Sequence, residues 1–161
     1  MNNLKYLLPE FLKDRCLPVV YERWLERKAV AHLKRDRKRG NAVATKEAYK
    51  AAIHEAILKS GGVDAYTGQP LQWELISTYD NEQSKARGRA YKKELGDLPT
   101  LDHVGDGLGV PDFKICAWRT NDAKSDLSYD EFVQLCQAVI SHHDRTGNLL
   151  AVALVPTALS C

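Results

Sequence analysis

Between Leu98 and Leu127 the sequence LPTLDHVGDGLGVPDFKICAWRTNDAKSDL sets Asp102 and His103 ahead of a glycine-rich stretch and Asn121, Asp122 and Lys124 after it. A neutral imidazole takes up a proton near pH 7. Carboxylate and amide oxygens, with water and phosphate, are the ligands Mg²⁺ prefers. Lys114, Arg119 and Lys124 are cations able to hold phosphate oxygens. One proton acceptor, two or three oxygen ligands and several cations can together activate water, neutralise phosphate charge and stabilise a leaving oxygen. That is the chemistry of metal-assisted phosphodiester hydrolysis.

These side chains need a strand, a loop, a second strand and a helix to place them. Leu98, Thr100 and Leu101 suit a short strand, and Pro99 confines it to an edge or a strand start. Adjacent Asp102 and His103 then point to opposite faces, so they cannot share one role. Gly105, Gly107, Gly109 and Pro111 break regular structure. Phe113 to Trp118 returns as a strand in which Phe113, Ile115 and Ala117 alternate with Lys114 and Cys116. Thr120 or Asn121 is placed to cap the helix that follows.

On these residues the segment resembles the ββα-metal core of the HNH endonuclease family. The family's Asp-His pair at the end of the first strand matches Asp102-His103, and its later Asn with x-x-Lys matches Asn121 with Lys124. The resemblance implies His103 as general base, Asp102 and Asn121 as ligands of a divalent metal (Mg or Mn), and Lys124 and Arg119 as phosphate contacts. The family's middle Asn orients the catalytic His; here its slot holds Asp112, whose carboxylate could still accept a hydrogen bond from imidazole. Upstream, Asp64-Ala65-Tyr66-Thr67-Gly68-Gln69-Pro70-Leu71 resembles the turn that precedes this core and often carries a Cys-x-x-Cys zinc knuckle. Asp64 and Thr67 stand where those cysteines would be, and Cys116 has no nearby Cys partner. The resemblance, which spans roughly residues 62 to 140, implies a zinc-free variant with no structural zinc.

Composition sets the wider frame. The chain has 161 residues and a hydrophobic content of 44%, ordinary for a globular protein. No apolar run reaches membrane-spanning length, and no signal-peptide pattern opens the chain, so a cytoplasmic protein with no membrane partner is expected. Leu149 to Leu159 is apolar but too short to span a bilayer and suits a strand or tail. Cys16, Cys116, Cys136 and Cys161 form no Cys-x-x-Cys pair and read as thiols in a reducing compartment. The net charge of +2 hides an asymmetry: residues 1–60 hold 14 Lys and Arg against 7 Asp and Glu, and residues 61–161 hold 9 against 14. A basic part next to an acidic part suggests a docking surface and a metal-binding part.

The pattern predicts an α+β protein: a helical N-terminal part over 1–61, then the ββα core with a flanking C-terminal helix and tail over 62–161. A helix is expected over 18–36, with Val20, Trp24, Leu25, Lys28 and Ala31 near one face and Pro18 in its first turn. A second is expected over 46–59, capped by Thr45, with Ala48, Ala52, Ile53, Ala56 and Ile57 buried. Leu71 to Ser77 reads as a strand, with Ile76 out of pattern. Residues 78–97, with Lys85, Arg87, Arg89, Lys92 and Lys93, read as a helix around 89–95, an ordered excursion or a solvated loop. Ser128-Tyr129-Asp130-Glu131 is a capping box and opens a helix to about His143, with Phe132, Leu135, Cys136, Val139 and Ile140 inward. His32, His54, His142 and His143 lie on helices away from the motif and read as structural.

The run from Arg27 to Arg39 holds seven basic residues and one acid. Lys34, Arg35, Arg37, Lys38 and Arg39 are the expected contacts to the phosphate backbone of DNA, with RNA a further possibility. A solvated face, or an oligomer contact to an acidic subunit, are the alternatives, and oligomeric state is left open. The leading functional expectation is a metal-dependent endonuclease acting on DNA. Its rivals are a non-catalytic nucleic-acid-binding protein on a degenerate HNH core and an assembly protein that uses its basic helix.

Overall fold

The computed structural model describes residues 5–153. Within them the protein is α+β: six α-helices and one two-stranded antiparallel sheet. The chain divides into two units, residues 1–123 and 124–161. The N-terminal helices and the hairpin share one core. Tyr21, Leu25, Tyr49, Ile53, Ile57, Trp73, Leu101, Phe113 and Ile115 are all buried in it.

Helix α1 runs Pro18–Arg39 and α2 runs Lys46–Ser60. Proline at the start of α1 loses nothing, since its missing N–H would have had no helical partner. Gly40, at φ 111°, closes α1 in the left-handed conformation. Thr45 Oγ1 accepts the Ala48 N–H at 3.2 Å and caps α2. The buried stripe of α1 is Tyr21, Trp24, Leu25, Ala29, His32, Leu33 and Asp36, at the spacing of one helix face. That of α2 is Tyr49, Ile53, Ala56 and Ile57, while Ala48 is exposed.

Residues 71–77 are not a strand. Trp73–Leu75 forms a 3₁₀ turn, and Leu71, Trp73 and Ile76 are buried at a spacing that no strand produces. Ile76, the residue that breaks the alternation, belongs to the turn's inner face. Trp73 fits edge-on against Trp24, with ring centroids 6.0 Å apart, and its indole N–H donates to Gly62 O at 3.2 Å. Residues 78–97 form two short helices, α3 (Asn81–Arg87) and α4 (Arg89–Glu94). Strand β1 (Pro99–His103) then pairs antiparallel with β2 (Phe113–Ala117), setting Asp102 opposite Lys114 and His103 opposite Phe113. Helix α5 (Trp118–Lys124) follows β2 without a break. Asn121 and Thr120 therefore lie inside α5 rather than at a cap.

The turn at 64–68 is fastened to β2 by hydrogen bonds. Asp64 is buried; its Oδ1 accepts the N–H of Tyr66 at 2.7 Å and of Thr67 at 3.1 Å, and its Oδ2 accepts the N–H of Ala117 at 2.8 Å. The Ala65 N–H also donates to Ile115 O at 2.9 Å. One carboxylate thus ties the turn to β2. Asp64→Ala leaves buried donors unmatched, which costs about 3 kcal/mol. Urea denaturation reads this as a lower midpoint with an unchanged slope. A stability equal to wild type would mean that water replaces the carboxylate.

In the second unit Ser128 and Glu131 exchange backbone hydrogen bonds at the start of α6, which runs Tyr129–Ala153, past the expected end at His143. The expected inner stripe of this helix is not buried. Leu135 is 49% exposed and Val139 and Ile140 are each 60% exposed, and Cys136 is exposed rather than core. Residues 149–153 continue α6; the rest of the apolar tail and Cys161 lie outside the described residues. Among the described residues no helix is long and apolar enough to cross a membrane.

Candidate active site

Asp102 and His103 face opposite sides of the hairpin, and each side has its own partners. On one side the Tyr66 hydroxyl donates to Asp102 Oδ2, and Lys114 Nζ lies 5.2 Å from the Tyr66 ring centroid. Burial and the hydrogen bond to Asp102 push the Tyr66 hydroxyl pKa up, so it stays a donor.

On the other side His103 meets α1. Its Nε2 lies 2.8 Å from Asp36 Oδ2, a close approach rather than a well-aligned hydrogen bond. Its Nδ1 is buried with no hydrogen-bond partner among the described residues. The Tyr49 hydroxyl, from α2, donates to the same Asp36 oxygen. Burial and that bond raise the Tyr49 hydroxyl pKa. Phe113 stands edge-on to His103 at 5.1 Å, and His32 stacks on it at 6.4 Å between ring centroids. An imidazole that turns its N–H toward a carboxylate carries its lone pair on the other nitrogen.

The loop between the strands is held against this cluster. Asn41, just past α1, donates from Nδ2 to Gly107 O at 2.7 Å and Gly109 O at 3.1 Å. Its Oδ1 accepts the N–H of Val43 and of Ala44. A Cβ at Gly107, where φ is 78°, would stand 2.7 Å from Asp36 Oδ1. Only glycine lets the loop close on that carboxylate.

The carboxylate on His103 is thus Asp36, not Asp112. Asp112 is exposed; only its backbone carbonyl is engaged, by the Val104 N–H. His32 is not remote from the motif either, since it packs on His103. Both residues are legible in part. Asp36 is the single acid of the basic run and falls on the apolar face of α1, four residues after His32. A lone acid on an inner stripe is expected to have a buried partner.

The other expected site residues are dispersed. Asn121 is half-buried on α5. Arg119 is 60% exposed along its side chain and pairs with Asp97 at 3.0 Å. Lys124 is buried at the end of α5 and opens the second unit. In the basic run Lys34, Arg35 and Lys38 are exposed, whereas Arg37 donates to Ala44 O at 3.4 Å and Arg39 lies 3.6 Å from Asp36. Among the described residues no three His, Cys, Asp or Glu side chains are grouped to hold a metal.

His32 provides a pH test of this packing. Burial, then the neighbouring Arg35 and Lys28, lower its pKa from 6.5 to about 3. The folded state therefore holds it neutral, while the unfolded chain protonates it below pH 6.5. Its contribution to stability is complete above 6.5 and is lost as pH falls toward 3, about 2 kcal/mol of it by pH 5. His54, also lowered by burial, adds a second contribution of the same sign. His32→Phe should flatten the decline of stability between pH 6.5 and 5, measured by denaturation at each pH. A decline as steep as in wild type would assign it to other groups.

Comparison with known proteins gives no match: no family model, no curated protein and no solved structure is similar to this chain.

Proposed function

We propose that this protein is a metal-dependent endonuclease of the HNH type that hydrolyses DNA phosphodiester bonds. The observation that carries the reading is His103 at the end of β1, backed by Asp36 at Nε2 and left with an unpartnered Nδ1, on a hairpin that runs directly into a helix. In this reading Nδ1 takes the proton of the attacking water. Asp36 stabilises the imidazolium that forms, and Tyr49 fixes the carboxylate by donating to it. Arg119 exchanges its contact with Asp97 for a phosphate oxygen. Asp102 and Asn121 would hold a divalent cation, Mg or Mn. One carboxylate and one amide oxygen suit a hard ion that keeps room for water and phosphate. Such an ion, when bound, neutralises phosphate charge and supports the leaving oxygen.

A second reading is a nucleic-acid-binding protein without catalysis. The burial of both ring nitrogens of His103 favours it, because a general base must reach water. Nicking of supercoiled plasmid across a series of divalent metals separates the two. Cleavage with Mg²⁺ or Mn²⁺ and none in chelator is expected. DNA binding without cleavage under any metal would establish the second reading. Asp102→Ala and Asn121→Ala should each weaken metal binding in calorimetric titration as well as cleavage; unchanged affinity in both would move the ion elsewhere, with Asp112 and Asp122 the next ligands to test.

A further inference from the structure

Two cavities of the first unit share one wall, and neither includes a member of the His103 cluster. The larger, about 560 Å³, is lined by Trp24, Arg27, Lys28, Tyr79, Thr100 and Trp118 among others. The smaller, about 410 Å³, is lined by Arg89, Lys92, Lys93, Arg119, Asp122 and again Trp118. Together they present six cations against one carboxylate.

The rings and cations alternate. Tyr79 is 44% exposed and meets Trp118 edge-on at 5.6 Å. Lys92 Nζ lies 5.7 Å from the Trp118 ring centroid, and Lys28 Nζ lies 5.6 Å from that of Trp24. Arg27 donates to Ser77 Oγ at 2.8 Å, and Lys28 donates to Thr100 Oγ1 at 3.5 Å. Among the described residues Arg27, Lys28, Lys92 and Lys93 pair with no carboxylate. Burial and the nearby Arg27 and Arg35 lower the Lys28 pKa, the mark of a cation short of an anion.

We propose that the two cavities flanking Trp118 form a groove for single-stranded DNA, in which Trp118 and Tyr79 stack bases and Arg27, Lys28, Lys92 and Lys93 hold phosphates. Single-strand grooves combine a basic track with aromatic platforms. A duplex hides its base faces, and a lone nucleotide fills one cavity and leaves the other cations without an anion. The groove also gives a role to the basic segment 78–97, whose helices α3 and α4 supply Asn81, Arg89, Lys92 and Lys93 to its lining. Thr100 lines the larger cavity and His103 ends the same strand three residues on, about 10 Å away along an extended chain. The proposal deepens the nuclease reading by naming its substrate as DNA with an unpaired strand, and it rests on that reading for its purpose.

The test is fluorescence anisotropy with a short labelled oligo(dT) and a duplex of the same length, in chelator so that nothing is cleaved. Oligo(dT) should bind at least about tenfold more tightly than duplex. Trp118→Ala should weaken oligo(dT) binding by about tenfold, within the range expected for losing one stacked base, while Trp118→Phe keeps most of it. The double change Lys92→Ala with Lys93→Ala, on exposed positions of α4 where folding is not at stake, should flatten the salt slope for oligo(dT) by about 1.4. Equal affinity for duplex and oligo(dT), or wild-type oligo(dT) binding by both Trp118→Ala and the double variant, overturns the groove. Plasmid nicking keeps the two readings apart. Trp118-dependent oligo(dT) binding with no cleavage under any metal retains the groove and removes the nuclease. Cleavage with Trp118-independent binding retains the nuclease and removes the groove.

Discussion

His103→Ala should lower plasmid cleavage by about 10²- to 10⁴-fold, the usual contribution of a general base, while binding to DNA is kept. The imidazole faces Asp36 through Nε2, and its Nδ1 has no hydrogen-bond partner among the described residues, so removing it takes away both the proposed proton acceptor and the group that Asp36 would stabilise. Asp36→Asn is the companion variant. It retains an oxygen for the Tyr49 hydroxyl but loses the charge at Nε2. We expect cleavage to fall about 10²-fold while DNA binding is kept, because the amide no longer offsets the positive charge of an imidazole that takes up a proton. Cleavage by His103→Ala within a few-fold of wild type removes His103 from the mechanism. Wild-type cleavage by Asp36→Asn reduces Asp36 to packing.

The hairpin and its following helix are legible because alternation, glycine-rich punctuation and strand length agree over residues 98–124. The two N-terminal helices are legible from Pro18, Gly40, Thr45 and the apolar stripe of α2. What stays hidden is tertiary. The 71–77 segment alternates for three residues, but Trp73 gains more by packing against Trp24 and bonding Gly62 O than a strand with no neighbour would offer. The exposed stripe of α6 has the period of a core helix, and period alone does not say what a face covers. In the site, Asp102 and His103 come from adjacency in the motif. Asp36, Tyr49 and His32 lie 54 to 71 residues earlier, and local pattern carries no direct sign of which helix a strand end will meet. Gly107 reads in the sequence as a loop breaker; its actual constraint is the approach to Asp36.

The same helix that supplies Asp36 also carries the second large effect. Of the five cations of α1 expected to meet phosphate, two are already engaged: Arg37 with a backbone carbonyl and Arg39 with Asp36. Lys34, Arg35 and Lys38 are exposed with no ion pair among the described residues, and their like charges repel along one helix end. Replacing these three by Gln should flatten the slope of log affinity against log salt for duplex DNA by about 2.7, at roughly 0.9 for each phosphate no longer neutralised. Over a change from 50 to 200 mM salt that slope is worth about 40-fold in affinity. Thermal stability should hold or rise slightly, since none of the three has an intramolecular ion-pair partner to give up. Cleavage at saturating DNA should persist, because the proposed proton acceptor, His103, is on β1. Arg37→Gln and Arg39→Gln should act differently, costing stability through Ala44 and Asp36 and changing the slope little. If the triple variant keeps the wild-type slope, this end of α1 does not touch phosphate. A slope change equal for all five positions would mean that Arg37 and Arg39 leave their partners to meet DNA, and that the approach of Asp36 to His103 is reset by binding.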